Sequence, residues 1–214
     1  HLGKALDKIS RPTVYIDFEA IQPALPPWQG CRPFGVIPVQ VSLHTLLADG
    51  QVSHSAWMAQ PRTDPRPQLA TFLSENLQDA ATLVAYHATF EQSIIGRLTA
   101  FCSEEQAAIL KQANRSFVDL LPLMRNHVYH PDFRGRFNLK RVVKALLPEL
   151  AYGDLEVKRG DEASRLLEAM LLGHADATEA DTAELRDALF SYCERDTWVL
   201  LKLEALLRRM VDET

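Results

Sequence analysis

Apolar residues change their spacing along this chain, and the change bounds the fold. Up to about residue 59 they recur at every second position, the period of a strand with one buried face; from about residue 68 they fall at three, four and seven, the period of a helix on a core. Residues 13–20 (TVYIDFEA) alternate Val14, Ile16, Phe18 and Ala20 with Tyr15, Asp17 and Glu19. Residues 36–47 and 52–59 form a hairpin about Ala48-Asp49-Gly50-Gln51, in which Asp-Gly supplies the turn. Between these runs, IQPALPPWQGCRP carries four prolines and excludes regular structure. A helix over 68–78, a strand over 82–88, a helix over 91–100 and a strand over 117–121 follow. The remainder is helical: NLKRVVKALL, EASRLLEAMLL and a long helix from about Thr182 to Met210. Three strands, then alternating helix and strand, then helices predict an α/β or α+β layered domain, with α/β the expected class, and argue against a bundle.

With 214 residues, 47% hydrophobic and 24% charged, residues 13–214 read as one domain behind a leader of residues 1–12. The chain begins with His rather than Met and is taken as a piece of a longer one. Cys31, Cys102 and Cys193 are far apart and in no paired spacing, which argues against a disulfide framework and a structural zinc site. No apolar run reaches the roughly 18 residues of a membrane span, and no signal-peptide core is present, so a cytoplasmic location and no membrane partner are expected. A net charge of −5 argues against holding nucleic acid by bulk electrostatics.

The carboxylates are more informative. Asp17 and Glu19 lie two apart on one strand, so both point to the same side, about 7 Å apart along it. Alone, that pair fits an edge strand with a solvated face. The long helix is harder to dismiss. Its apolar stripe runs Leu185, Leu189, Tyr192, Val199, Leu203, Leu206 and Met210, and Asp196 falls within it, seven residues from both Leu189 and Leu203. A carboxylate facing a core is costly unless it is paired or binds a cation; the competing reading is a buried ion pair with an arginine. Tyr192, one turn earlier, shares that face. Thr89 with Gln92 three residues on reads as a capping box that starts a helix, placing Glu91 in its first turn. Ile95 and Leu98 then put Glu91 on the inward stripe, although complementing the helix dipole, worth about 0.3–1 kcal/mol, also explains a glutamate there. Four inward carboxylates repel one another without cations, and oxygen donors of this kind suit Mg²⁺ or Mn²⁺. Two such ions, about 3.5–4 Å apart, serve phosphodiester hydrolysis.

The order of these motifs resembles the DEDD exonuclease superfamily, in the DEDDy branch. Asp17-Phe18-Glu19 resembles its first motif, His87-Ala88-Thr89-Phe90-Glu91 its second (usually N-x-x-[FY]-D), and Tyr192-Cys193-Glu194-Arg195-Asp196 its third, Y-x-x-x-D. The resemblance spans about residues 13 to 210. More narrowly, YIDFEA, RPF-x-x-IP-x-QVSLH and YCERDT are similar to an uncharacterised bacterial domain family within that superfamily. The resemblance implies a ribonuclease H-like fold, with a central mixed five-stranded sheet flanked by helices. It also implies 3'-5' exonuclease activity on single-stranded 3' ends of DNA or RNA. Asp17, Glu19, Glu91 and Asp196 would bind two Mg²⁺ or Mn²⁺ ions, and Tyr192 would hydrogen-bond the attacking water. Glu91 stands where Asp is usual, adding a methylene, and His87 where Asn is usual, which keeps open an alternative: a nucleic-acid-binding or interaction module that kept the fold and lost catalysis.

Arg134, Arg136, Lys140, Arg141 and Lys144 form the densest basic cluster and read equally as phosphate contacts or a solvated helix face. Trp28 and Phe34, near the proline-rich loop, read as base-stacking candidates or loop anchors. His44, His127 and His130 have no metal-like spacing and are left unassigned.

Overall fold

The computed structural model describes residues 2–173 and 179–213. Its elements run α1 (Leu2–Leu6), β1 (Thr13–Ile21), β2 (Ile37–Leu46), β3 (Val52–Met58), α2 (Pro65–Leu77), β4 (Thr82–Ala85), α3 (Thr89–Leu98), α4 (Glu104–Asn114) and β5 (Phe117–Asp119). Then come α5 (Leu120–His127), α6 (Leu139–Leu146), α7 (Gly160–Leu172) and α8 (Glu179–Asp212). The strands form one five-stranded sheet in the order β3-β2-β1-β4-β5. β1 and β2 are antiparallel, as are β2 and β3, whereas β4 lies parallel to β1 and β5 parallel to β4. The expected α/β class and mixed five-stranded sheet flanked by helices are therefore observed. No helix among the described residues is long and apolar enough to cross a membrane.

β1 is central and covered on both faces, which overturns the edge-strand reading of TVYIDFEA. Its even residues Val14, Ile16 and Phe18 pack with Leu69 and Leu73 of α2, Ile94 and Ile95 of α3 and Leu110 of α4. Odd residues face the opposite layer, where Tyr15 and Ile21 join Leu167 of α7 and Leu189, Val199 and Leu203 of α8. Period-two alternation thus sorts one strand between two cores, and Asp17 and Glu19 share the side of α8.

The ends of the elements follow local chemistry with two departures. Asp64 caps α2 by accepting the Arg66 N–H at 3.1 Å, and Asn138 caps α6 by accepting the Arg141 N–H at 3.0 Å. Thr89 does not form the expected capping box: α3 has no side-chain cap of its own. Instead Asp119, at the end of β5, accepts from the His87 N–H at 2.8 Å and the Ala88 N–H at 3.0 Å. A complete capping box exists one helix later, where Ser103 and Gln106 bond reciprocally at the start of α4, a helix absent from the sequence reading. The strand expected over 117–121 stops at Asp119, whose carboxylate also caps α5 through the Leu121 N–H at 2.9 Å. The leader is not bare either, since α1 forms and Leu6 and Ile9 are buried in the α8-side core.

α8 spans the layer over β1 and β2. Near its C-terminal half, Glu204 accepts from Arg11 Nη2 at 2.9 Å, from Arg208 Nε at 2.6 Å and from the Tyr15 hydroxyl. Burial opposes ionisation of Glu204, but hydrogen bonds from Arg11, Tyr15 and Arg208 outweigh it and hold the carboxyl below its ordinary range. This buried acid, which lies outside the acids singled out from sequence, ties the last helix to the central strand.

Candidate metal centre

One turn-pair N-terminal of Glu204, α8 presents Asp196 to the same face of β1. One carboxylate oxygen each from Asp17, Glu19 and Asp196 lies within 4.8 Å of the others. Two periodicities bring them together. The alternation of β1 sends residues 17 and 19 to the α8 side, and the helical stripe of α8 sends residue 196 back toward the sheet. Cys193, three residues before Asp196, is buried against Asp17, its Sγ 3.7 Å from the Asp17 carbonyl oxygen and 3.8 Å from Oδ2.

Glu91 is brought near but not into this group. It is buried, its Oε2 has no hydrogen-bond partner, and its charge raises Asp17. Of the four expected carboxylates, three therefore converge, and the fourth is buried at the start of α3, near enough for its charge to act on Asp17. His87 holds φ 73°, a left-handed conformation in which Asn and His are both enriched, so histidine suits this backbone.

The electrostatics are those of crowded anions. Burial first, then the charges of Asp196, Glu19 and Glu91, push Asp17 well above the carboxylate range. Glu19 is pushed up to about 8 by burial and by Asp196, with Lys140 pulling the other way. Burial raises Asp196 to about 6, a rise limited by the Tyr152 hydrogen bond, the Lys140 charge and Tyr192. Burial also lifts Glu91 to about 7. These groups resist sharing negative charge without added positive charge nearby.

Two residues at the centre escaped the sequence reading of the site. The Tyr152 hydroxyl donates to Asp196 Oδ1 from a turn between α6 and α7. Lys140, grouped there with the basic cluster of α6, instead turns inward: its Nζ donates to the Tyr192 hydroxyl at 2.9 Å and lies over the rings of Tyr152 and Tyr192, 4.9 and 4.6 Å from their centroids. Nothing local in the sequence marks Tyr152, which meets Asp196 across 44 positions. Lys140 was recognisable as basic, but only the fold shows which of five cations turns inward.

Asp17, Asp196, Tyr192, Lys140, Arg125 and Arg159 line an open groove of about 690 Å³, so the carboxylates are reachable from solvent. Arg134, Arg141 and Lys144 line a separate depression that also touches Lys140. Trp28 packs against the core as an anchor, whereas Phe34 is 68% exposed. The all-oxygen donor set, the orphaned Glu91 Oε2 and the mutual repulsion fit hard divalent cations such as Mg²⁺ or Mn²⁺, with Asp17, Glu19 and Asp196 as the residues that could hold one.

Residues 14–138, more than half of the chain, match the family model described as "Domain of unknown function (DUF2779)". No curated protein and no solved structure matches the chain. The matched segment contains Asp17, Glu19 and Glu91; Tyr192 and Asp196 lie beyond it.

Proposed function

The chain belongs to the family described as a domain of unknown function (DUF2779), and from that premise we propose a metal-dependent 3'-5' exonuclease of ribonuclease H-like fold, acting on DNA or RNA. One observation carries this reading: Asp17, Glu19 and Asp196, distant in sequence, converge within 4.8 Å at the wall of an open groove. The mixed five-stranded sheet flanked by helices supports the fold named here, and the motif order supports the polarity.

Bound divalent cations would supply a water acidic enough to attack at neutral pH and positive charge at the leaving oxygen. The chain's own residues do the rest. Asp17, Glu19 and Asp196 would hold the cations, and Glu91, buried at the start of α3 with an unpartnered oxygen, would add negative charge beside them. Tyr192 remains a phenol, because burial and the charges of Asp196, Glu19 and Asp17 raise it. With Lys140 donating to its oxygen, it keeps its own proton, which goes to Asp196 and would turn to a water beside the cations. Arg125 and Arg159 on the groove wall are placed to meet phosphate oxygens.

The test is incubation with 3'-extended, end-labelled single-stranded DNA and RNA in Mg²⁺ or Mn²⁺. Shortening from the 3' end is expected, falling at least about a thousandfold in Asp17→Ala, the equivalent of about 4 kcal/mol of lost charge stabilisation. Absence of cleavage by the wild type, or equal cleavage by Asp17→Ala, overturns the proposal. The position of Glu91 outside the three-carboxylate group favours, as a second reading, a nucleic-acid-binding module without catalysis. Two Mn²⁺ ions at the carboxylates of a soaked crystal count against that second reading.

A further inference from the structure

A second cluster lies on the far side of Thr197, on the outer strands of the sheet. His44 of β2 and His54 of β3 are directly opposed in the antiparallel register, their ring centroids 4.5 Å apart. Glu194 of α8 completes the group, with one potential ligand atom from each of the three residues within 4.8 Å of the others. None of the three belongs to the carboxylate centre described above.

The hydrogen bonds around the two rings are all met by one assignment of protons. In it the Thr197 hydroxyl donates to the Glu194 carbonyl oxygen at 3.1 Å and accepts from Ser42 Oγ and His44 Nδ1, each 2.8 Å away, while Ser42 accepts from His54 Nε2 at 2.9 Å. That assignment frees the lone pairs of His44 Nε2 and His54 Nδ1 for a cation. His54 Nδ1 lies 3.8 Å from Glu194 Oε1, too far for a hydrogen bond. It is a fitting separation for two ligands of one cation with bonds of about 2.0–2.2 Å.

We infer that His44, His54 and Glu194 form a second cation site, selective for a borderline first-row ion of the Zn²⁺ class. Two imidazoles and one carboxylate suit Zn²⁺ and its neighbours, and Mg²⁺ poorly. Ser42 and Thr197 play the part of outer-sphere partners that orient imidazole ligands. Burial, with help from His54, pushes His44 down to about 4, so its ring is neutral at physiological pH. A cavity of about 430 Å³, lined by His44, Leu155, Ser191, Glu194, Arg195 and Trp198, leaves the ion a coordination position open to solvent or to a further ligand.

The inference stands apart from the exonuclease reading, and its test reads metal binding, not cleavage. Chelator-stripped protein is titrated with Co²⁺ and Zn²⁺ in a large excess of Mg²⁺, followed by calorimetry and by the visible absorption of Co²⁺. One equivalent is expected to bind the wild type and Asp17→Asn alike. His54→Ala and Glu194→Gln, at partly exposed positions, should weaken it at least about a hundredfold, more than loss of an outer-sphere partner does. No binding in excess Mg²⁺ means a histidine–glutamate ion pair only, and overturns the inference. Binding abolished by Asp17→Asn, or left intact by both His54→Ala and Glu194→Gln, overturns it as well.

Discussion

Asp196 and Glu204 sit on one face of one helix, both buried, both accepting a tyrosine hydroxyl, and they are electrostatic opposites. Glu204 takes Tyr15 together with Arg11 and Arg208, and its carboxyl is held below the ordinary range. Asp196 takes Tyr152, but its other neighbours are Asp17 and Glu19, with Lys140 as the nearby cation, and burial raises it to about 6. A buried acid that serves the fold carries its counter-charge within the chain. One surrounded by more acids than cations stores repulsion, and that is the arrangement a cation from solution relieves.

The contrast is broken most directly by stability. Glu204→Gln should lose about 3 kcal/mol, the low end of the cost of breaking a buried ion pair, because both arginines reach solvent in part. In a chain of this size that lowers the melting temperature by about 6–12 °C. Asp196→Asn keeps an acceptor for Tyr152 and removes a negative charge beside Asp17 and Glu19, so in chelator its melting temperature should stay level or rise. Equal losses for the two variants in thermal melts would erase the distinction.

Acid sharpens it next. Glu204 is depressed below its ordinary value of about 4.5 in the folded chain. A depressed acid contributes stability that is complete above the unfolded value and disappears as pH falls through the folded one. The stability gap between wild type and Glu204→Gln, followed by urea titration, should therefore be constant above about pH 4.5 and narrow below it. A gap that widens in acid means that the arginines are not what Glu204 is worth.

The same pair shows what the sequence made legible. Asp196 stood out because a helical stripe has a period, and a carboxylate within it violates the pattern. Asp17 and Glu19 stood out for their strand spacing, though only the two-sided burial of β1 distinguishes a central strand from an edge. Glu204 falls one position off that stripe and its partner Arg11 lies 193 positions away, so neither its burial nor its neutralisation was visible. Tyr152, the inward turn of Lys140, the Asp119 cap on α3 and the His44–His54 register belong to the same class. Each is a contact that local periodicity does not encode, because it is set by how layers stack and strands pair. α4 is a different omission: its capping box, Ser103 to Gln106, was written in the sequence.

Glu91 tests where the boundary between the two kinds of acid runs. It has neither the arginines of Glu204 nor a place among the three converging oxygens, and its Oε2 is buried without a partner. On the exonuclease reading it serves cation binding from the rim, with one methylene more than the usual aspartate. Glu91→Gln keeps the shape and removes the charge, so it should lower cleavage about tenfold, or roughly 1.4 kcal/mol, far less than Asp17→Ala. The Mn²⁺ concentration needed for half-maximal cleavage should rise with it, because a ligand charge has been lost and not a fold contact. An unchanged Mn²⁺ dependence, with the melting temperature lowered instead, moves Glu91 to the structural side beside Glu204 and leaves the three-carboxylate group to act without it.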